Sequence, residues 1–289
     1  MFASTALALL IAATPPLPKA STQRQALAAA CAEREGWSDP APPATIFGNV
    51  HFVGTCGITA LLITGKDGHV LIDGATAQAA PGILANIRAL GFEPRDVRLL
   101  LGSHEHVDHV GGLAVLQAAT GARAIARAEA KAVLESGQVD ADDPQAGSIP
   151  GFTGVKIEEV VTDGETIRLG PLALTAHATP GHTAGSTSWS FVACEVKCHR
   201  IVYADSLTAV GPDSYRFADH PELIATLRRT FDKVAAMRCE VLLTPHPSAS
   251  NMFARIGGGA PLIDAAACTN YAAGARRRLG ERLARETAP

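Results

Sequence analysis

The sequence predicts an α/β fold in which two β-sheets pack face to face with helices on the outside. Strand-like runs separated by glycine turns occur in both halves of the chain, and each half also carries segments of helical period. No shift in composition marks a linker between the halves. With 289 residues, 47% of them hydrophobic and only 18% charged, the chain has the apolar material for one large core. A single domain over residues 21–289 follows. The formal net charge of −3 supplies no electrostatic footprint for nucleic acid, so none is expected as a partner.

The chain begins with an apolar, small-residue run over 2–13, followed by Thr14-Pro15-Pro16-Leu17-Pro18-Lys19-Ala20. It is short for a membrane span and reads as a secretory signal peptide over 1–20, cleaved near Ala20, which leaves no membrane anchor on the mature protein. Residues 22–35 read as a helix with Leu27, Ala30 and Cys31 on one side, stopped by Pro40-Ala41-Pro42-Pro43. Runs 46–52, 58–64 and 69–72 are β-rich, and Asp67-Gly68 is a hairpin signal, so three adjacent antiparallel strands are expected. Ile83, Leu84, Ile87 and Leu90 then repeat at helical spacing, and Gly91 stops that helix. Val97-Arg98-Leu99-Leu100-Leu101 is a buried strand; a helix from Leu113, a strand at 122–126 and a helix at 129–136 follow.

Residues 137–154 carry Asp140, Asp142, Asp143, Pro144, Gly147, Pro150 and Gly151 without any period, which makes them a long loop. Long unstructured loops in compact domains are often lids, and an idle surface excursion is the equal alternative. The second half repeats the style, with strands at 155–161, 166–169, 172–178, 187–193, 200–204 and 240–243. Helices are expected at 221–237 and 271–287.

The chemistry concentrates in Ser103-His104-Glu105-His106-Val107-Asp108-His109-Val110-Gly111-Gly112, directly after the buried strand at 97–101. Imidazole and carboxylate donors suit zinc and its first-row neighbours. The spacing is dense enough for two ions: His104 and His106 can serve one, leaving Asp108 and His109 free for a second. Further ligands are needed, and two histidines have the right setting, His182 in Thr179-Pro180-Gly181-His182 and His246 in Thr244-Pro245-His246-Pro247, each just past a strand. Asp205-Ser206 closes another strand. The remaining histidines, His51, His69, His177, His199 and His220, lack such a setting and read as surface, turn or core residues. Glu105 alternates away from its neighbouring histidines and reads as structural.

Six cysteines agree with export to an oxidising compartment. By chain order they pair as Cys31 with Cys56, Cys194 with Cys198 and Cys239 with Cys268, although six cysteines allow 15 connectivities. Nearness in the chain favours Cys194–Cys198. A structural zinc on Cys194, Cys198 and His199 ranks second, since no fourth ligand is evident nearby.

These motifs resemble the metallo-β-lactamase superfamily. The residues that carry the resemblance are His104-Glu105-His106-Val107-Asp108-His109, Asp73-Gly74, Gly181-His182, Tyr203-Ala204-Asp205-Ser206 and Pro245-His246, over about 44–250. It looks most like the third (B-three) subclass of zinc β-lactamases, on three stretches: 54–62, 181–189 and Ala204-Asp205-Ser206-Leu207-Thr208. The resemblance implies a four-layer αββα sandwich of two mixed sheets with the metals in a groove along one edge. It implies two zinc ions per chain, one on His104, His106 and His182, the other on Asp108, His109 and His246. By the same resemblance Ser206 and Thr208 contact the carboxylate of a small-molecule β-lactam substrate, and the protein is periplasmic with disulfides. A monomer is expected. Two zinc ions sharing a water would lower its pKa towards neutrality, with Asp108 as the catalytic group that orients the nucleophile and passes on its proton.

Two rival readings stand beside this one. A glyoxalase-type thioesterase or a lactonase of the same superfamily would use an aspartate near 205 as a bridge between the metals, which makes the placement of Asp205 decisive. A non-catalytic periplasmic metal carrier is the other, disfavoured because six protein ligands on two ions leave coordination positions open.

Overall fold

The structure, a computed structural model, describes residues 18–287. The signal-peptide expectation falls outside the described residues except for its last three. Helix α1 (Ala20–Ala30) leads into a seven-stranded sheet: β1 (Ala44–Phe47), β2 (Val50–Phe52), β3 (Leu61–Gly65), β4 (Gly68–Ile72), β5 (Val97–Leu101), β6 (Arg123–Arg127) and β7 (Ile157–Val161), in that spatial order. Helix α2 (Ala80–Ala89) connects β4 to β5, α3 (Val107–Val110) and α4 (Leu113–Thr120) connect β5 to β6, and α5 (Ala128–Ser136) follows β6. The second sheet has β8 (Thr166–Leu169), β9 (Leu172–Ala178), β10 (Thr187–Cys194), β11 (Cys198–Tyr203) and β12 (Val241–Leu243), in the order β12-β11-β10-β9-β8. Helix α6 (Pro221–Ala235) crosses between β11 and β12, and α7 (Met252–Gly257) and α8 (Ala267–Thr287) end the described chain.

Alternation along the strands builds the layers. In β4, Val70 and Ile72 face the space between the sheets, while Leu71 faces the helices with Ile83, Ile87 and Leu116. Strand β5 does the same with Leu99 and Leu101 inward and Leu100 outward, which is why Leu99-Leu100-Leu101 reads as an apolar run. In the second sheet Trp189, Phe191, Tyr203 and Leu243 point inward, and Val202 and Leu242 meet Leu227, Phe231 and Tyr271 of α6 and α8. Helices thus cover both outer faces, giving the αββα sandwich.

Helix α7 was not expected and α8 begins at Ala267 rather than 271, and two further differences have a local cause. The run 46–52 is two strands rather than one, because Gly48 takes φ +54° and turns β1 back on β2, with Thr45 paired to His51. The first helix runs Ala20–Ala30 instead of 22–35, since Cys31 leaves the helix to bond Cys56. All three cysteine pairs are disulfides as ordered along the chain. The alternative zinc site therefore falls: Cys194 and Cys198 bridge facing positions of the β10–β11 hairpin, and His199 pairs with Glu240. Among the described residues no helix is long and apolar enough to cross a membrane.

Candidate metal centre

Strand direction brings the site together. Strands β4 and β5 are parallel, as are β11 and β12, and β9 runs the same way as β11 because both are antiparallel to β10. Their C-terminal ends emerge at one edge of the sandwich and deliver Asp73, the 103–109 segment, His182, Asp205 and His246 to it. Cross-sheet bonds fix this edge: Thr187 N–H donates to the Ser103 carbonyl at 2.7 Å, Trp189 Nε1 to the Gly102 carbonyl at 2.9 Å, and Thr59 N–H to the Pro245 carbonyl at 2.7 Å. Gly112 is required where the motif passes the β4 end, since a Cβ there would lie 2.2 Å from the Gly74 carbonyl oxygen.

Three imidazoles form a nearly equilateral triangle, with ring centres 4.9 Å apart for His104–His106, 4.5 Å for His104–His182 and 4.9 Å for His106–His182. Each ring is oriented by a partner on one nitrogen. His104 Nδ1 meets Asp205 Oδ1 at 2.8 Å, His182 Nδ1 meets the Thr208 carbonyl at 3.0 Å, and His106 Nε2 meets Asp143 Oδ2 at 2.9 Å. Ring nitrogens bonded in this way leave the other nitrogen as a ligand. His104 Nε2 is buried without any hydrogen-bond partner, as expected of a nitrogen meant for a cation.

A second group adjoins the first. His109 Nε2 stands 3.1 Å from Asp108 Oδ2 and 3.2 Å from His246 Nε2, and the same Asp108 oxygen is 3.4 Å from His246 Nε2. Asp108 and His109 are presented by α3, one short turn after His106, so the helical step re-aims them from the first group to the second. Two clusters, His104/His106/His182 and His104/Asp108/His109, each place potential ligand atoms within 4.8 Å of one another. All six ligand residues named from the sequence converge here. The donor set is that of a zinc-type site, and the orphaned His104 nitrogen fits a metal.

Electrostatics prepare the first group. Burial, then the charge of neighbouring imidazoles, pushes His104 well below the ordinary histidine range and His182 down to about 3, so both are neutral donors near pH 7. His246 is held down to about 4 by burial and by His109. In the metal-free protein His109 differs. Burial would lower it, but the Asp108 carboxylate and then Asp73 outweigh burial and raise it to about 10. Asp108 is pushed up by burial and down, more strongly, by His109, so it is ionised. A cation held at the second group would have to displace that proton.

Three supporting residues, Asp73, Asp143 and Asp205, were not singled out as such by the sequence reading. Asp73, at φ +63°, accepts from Ser103 N–H and Ser103 Oγ, each at 2.7 Å, and from the Tyr203 hydroxyl at 2.7 Å, and lies 3.5 Å from His109 Nδ1. A left-handed backbone at a non-glycine residue beside a metal group is strain held by its surroundings. Asp143 comes from the 137–154 loop. Asp205 stands behind His104, bonded to the nitrogen that faces away from the triangle, and is not between the two groups. Burial pushes its carboxyl well above the usual range. Glu105 is structural as read: it accepts from Gly185 N–H at 2.8 Å and Thr183 Oγ1 at 2.7 Å, tying the metal motif to the His182 turn. Ser206 is buried beside Asp205, and the Thr208 hydroxyl lies 3.1 Å from His182 Nδ1. The other five histidines take roles outside the site, His177 for example bonding Ser190 at 2.8 Å.

This geometry agrees with the relatives found. The metallo-beta-lactamase superfamily model matches residues 53–246, so the chain belongs to that superfamily. Its neighbours among solved structures include subclass B3 metallo-β-lactamases. The metallo-β-lactamase MIM-1 from Novosphingobium pentaromativorans is 52% identical with a TM-score of 0.88, the match covering 91% of this chain and 98% of that one. MEM-A1, a subclass B3 metallo-β-lactamase from a soil metagenome library, is 42% identical with a TM-score of 0.82, over 87% of this chain and 98% of that one. A hydroxyacylglutathione hydrolase of Mesorhizobium japonicum is 30% identical over 57% of this chain and 53% of its own. The chain spans about half the length of the curated relatives it matches.

Proposed function

We propose that this protein is a periplasmic di-zinc β-lactamase that opens the β-lactam amide of penicillins, cephalosporins and carbapenems. One observation carries the reading: six donor side chains form two adjoining groups, and Asp205, which a bridging-carboxylate hydrolase would place between them, is spent on orienting His104. The full-length likeness to solved β-lactamases supports it, and three disulfides suit an oxidising compartment.

His104, His106 and His182 would hold one ion, and Asp108, His109 and His246 the other. Zinc bound there supplies Lewis acidity and lowers the pKa of water towards neutrality. Asp108, fixed by His109 and His246, orients the attacking water with its carboxylate and carries the proton towards the leaving nitrogen. Ser206 and Thr208 receive the substrate carboxylate, Thr208 sharing its hydroxyl with His182. No lysine or arginine lines the motif segments, so these hydroxyls take the anion by hydrogen bonding.

The second reading, a glutathione thioester hydrolase, is favoured by the curated relatives. Turnover of nitrocefin by the mature protein, abolished by a chelator and restored by zinc, is the expected result. Hydrolysis of S-lactoylglutathione with none of nitrocefin would replace this function by the second reading. Stoichiometric zinc without turnover of either would make the protein a carrier.

A further inference from the structure

Hydrogen bonds pin the 137–154 loop at its ends, and within residues 138–151 Pro144 alone is buried as a whole residue. At the base, Phe152 N–H donates to the Gly137 carbonyl at 2.9 Å and Val155 N–H to the Leu134 carbonyl at 2.8 Å. Within it the bonds are local, such as Gln145 N–H to Asp143 Oδ1 at 2.7 Å and Ser148 Oγ to the Gln145 carbonyl at 2.7 Å. Among the described residues, hydrogen bonds from 139–151 that leave the loop reach one residue, His106: Asp143 Oδ2 on Nε2 at 2.9 Å and the Gln145 amide near Nδ1 at 3.4 Å. Behind this contact the loop is not packed down. A cavity of about 300 Å³ separates Asp140–Pro144 from the His182 turn and from Leu223 and Thr226 of α6. The Asp143 side chain is nonetheless 5% exposed, buried by the histidine it touches in a loop whose other acids are open to water.

We infer that Asp143 is a positioning residue through which the 137–154 loop and the first metal group stabilise each other; this rests on the ligand set proposed above. Asp143 fixes the ring plane and the tautomer of His106, presenting Nδ1 to the cation, as Asp205 and Thr208 do for the other two rings. Withdrawing electron density from an imidazole makes its remaining N–H a stronger donor, so a cation on Nδ1 tightens the Nε2–H bond to Asp143. Coupling of this kind is reciprocal: whatever the docked loop adds to zinc affinity, zinc adds to loop docking.

The test uses the mature protein, wild type and the variants Asp143→Ala and Asp143→Asn, with two readouts that need no turnover. Zinc affinity is measured by competition with a chelating dye. Loss of the oriented acceptor weakens zinc at one site by about 10–100-fold in Asp143→Ala, and Asp143→Asn, which keeps a carbonyl acceptor, recovers part of it. Hydrogen exchange of 138–151 is measured with and without zinc: zinc slows exchange in the wild type and not in Asp143→Ala. Thermal midpoints of the zinc-free proteins agree if the role is positioning. Wild-type zinc affinity in Asp143→Ala, zinc-independent exchange in the wild-type loop, or a zinc-free midpoint that falls with the affinity would each overturn the inference. A wild type that binds no zinc at all would instead remove the ligand set on which it rests.

Discussion

Removal of the Glu105 carboxylate should loosen the site from behind without touching a ligand. The side chain is buried between the metal motif and the His182 turn and accepts two short bonds, from Gly185 N–H and Thr183 Oγ1. In Glu105→Ala the Thr183 hydroxyl can fall back on Ser186 Oγ, already 3.0 Å away, but Gly185 N–H has no substitute. A bond to a charged acceptor contributes about 1.5–3 kcal/mol, and an orphaned buried donor costs about 1–3 kcal/mol. Against this, burial raises the Glu105 pKa, so part of the gain is offset by the cost of burying its charge. The net loss works out at about 3 kcal/mol. Glu105→Gln keeps an oxygen for Gly185 and turns its amide towards Thr183, which limits the loss to about 1 kcal/mol. Urea unfolding of the zinc-free proteins measures both. An alanine variant within about 1 kcal/mol of wild type, or a glutamine variant as damaged as the alanine one, would refute the tie between the two segments.

Asp108→Asn should cut turnover by about 10²–10⁴-fold with an unchanged circular dichroism spectrum, because a positioned proton acceptor is lost while the volume is kept; near-wild-type kcat would exclude its role. Breaking single disulfides by paired Cys→Ser changes should cost about 3.5 kcal/mol for Cys31–Cys56 and Cys239–Cys268, which close loops of 25 and 29 residues, but about 2 kcal/mol for Cys194–Cys198, which spans 4. Equal costs on urea unfolding would contradict the loop-closure account. His51, lowered to about 4 by burial and by the charge of His69, binds a proton more readily unfolded than folded. Its contribution is therefore complete above about pH 6.5 and is lost as pH falls towards 4, by about 3 kcal/mol in all. Zinc-free His51→Asn should lose correspondingly less stability than wild type between those pH values.

Much of the site was legible because its ligands are local in sequence or sit at recognisable strand ends. His104, His106, Asp108 and His109 lie within six positions, and His182 and His246 occupy proline-bearing turns. The partners that orient them were not legible in that way. Asp143 carries no local mark that separates it from Asp140 and Asp142, since only the path of the loop brings it to His106. Asp205 was visible as a strand-end acid, yet a single rotation separates a bridge from a brace, and spacing does not record rotation. Tyr203 was named only as part of the Tyr203-Ala204-Asp205-Ser206 motif, with no partner for its hydroxyl, which ends on Asp73. Among the elements, the strand reading of 46–52 failed on Gly48-Asn49, a tight reversal with too few flanking residues to interrupt an apolar pattern.

Strand β12, which carries His246 to the site, has three residues and lies at the outer edge of its sheet, paired on one side only. Its hold on the sheet rests on one ladder and on the burial of Val241, Leu242 and Leu243. Peeling it would withdraw His246 from the second donor group and leave His104, His106 and His182 in place, so in the proposed two-ion site partial opening would weaken one ion's binding before the other's. The Cys239–Cys268 bond clamps the chain two residues before that strand to the start of α8. If the proposed two-ion site holds, a thiol reductant would act on metal stoichiometry as well as on unfolding.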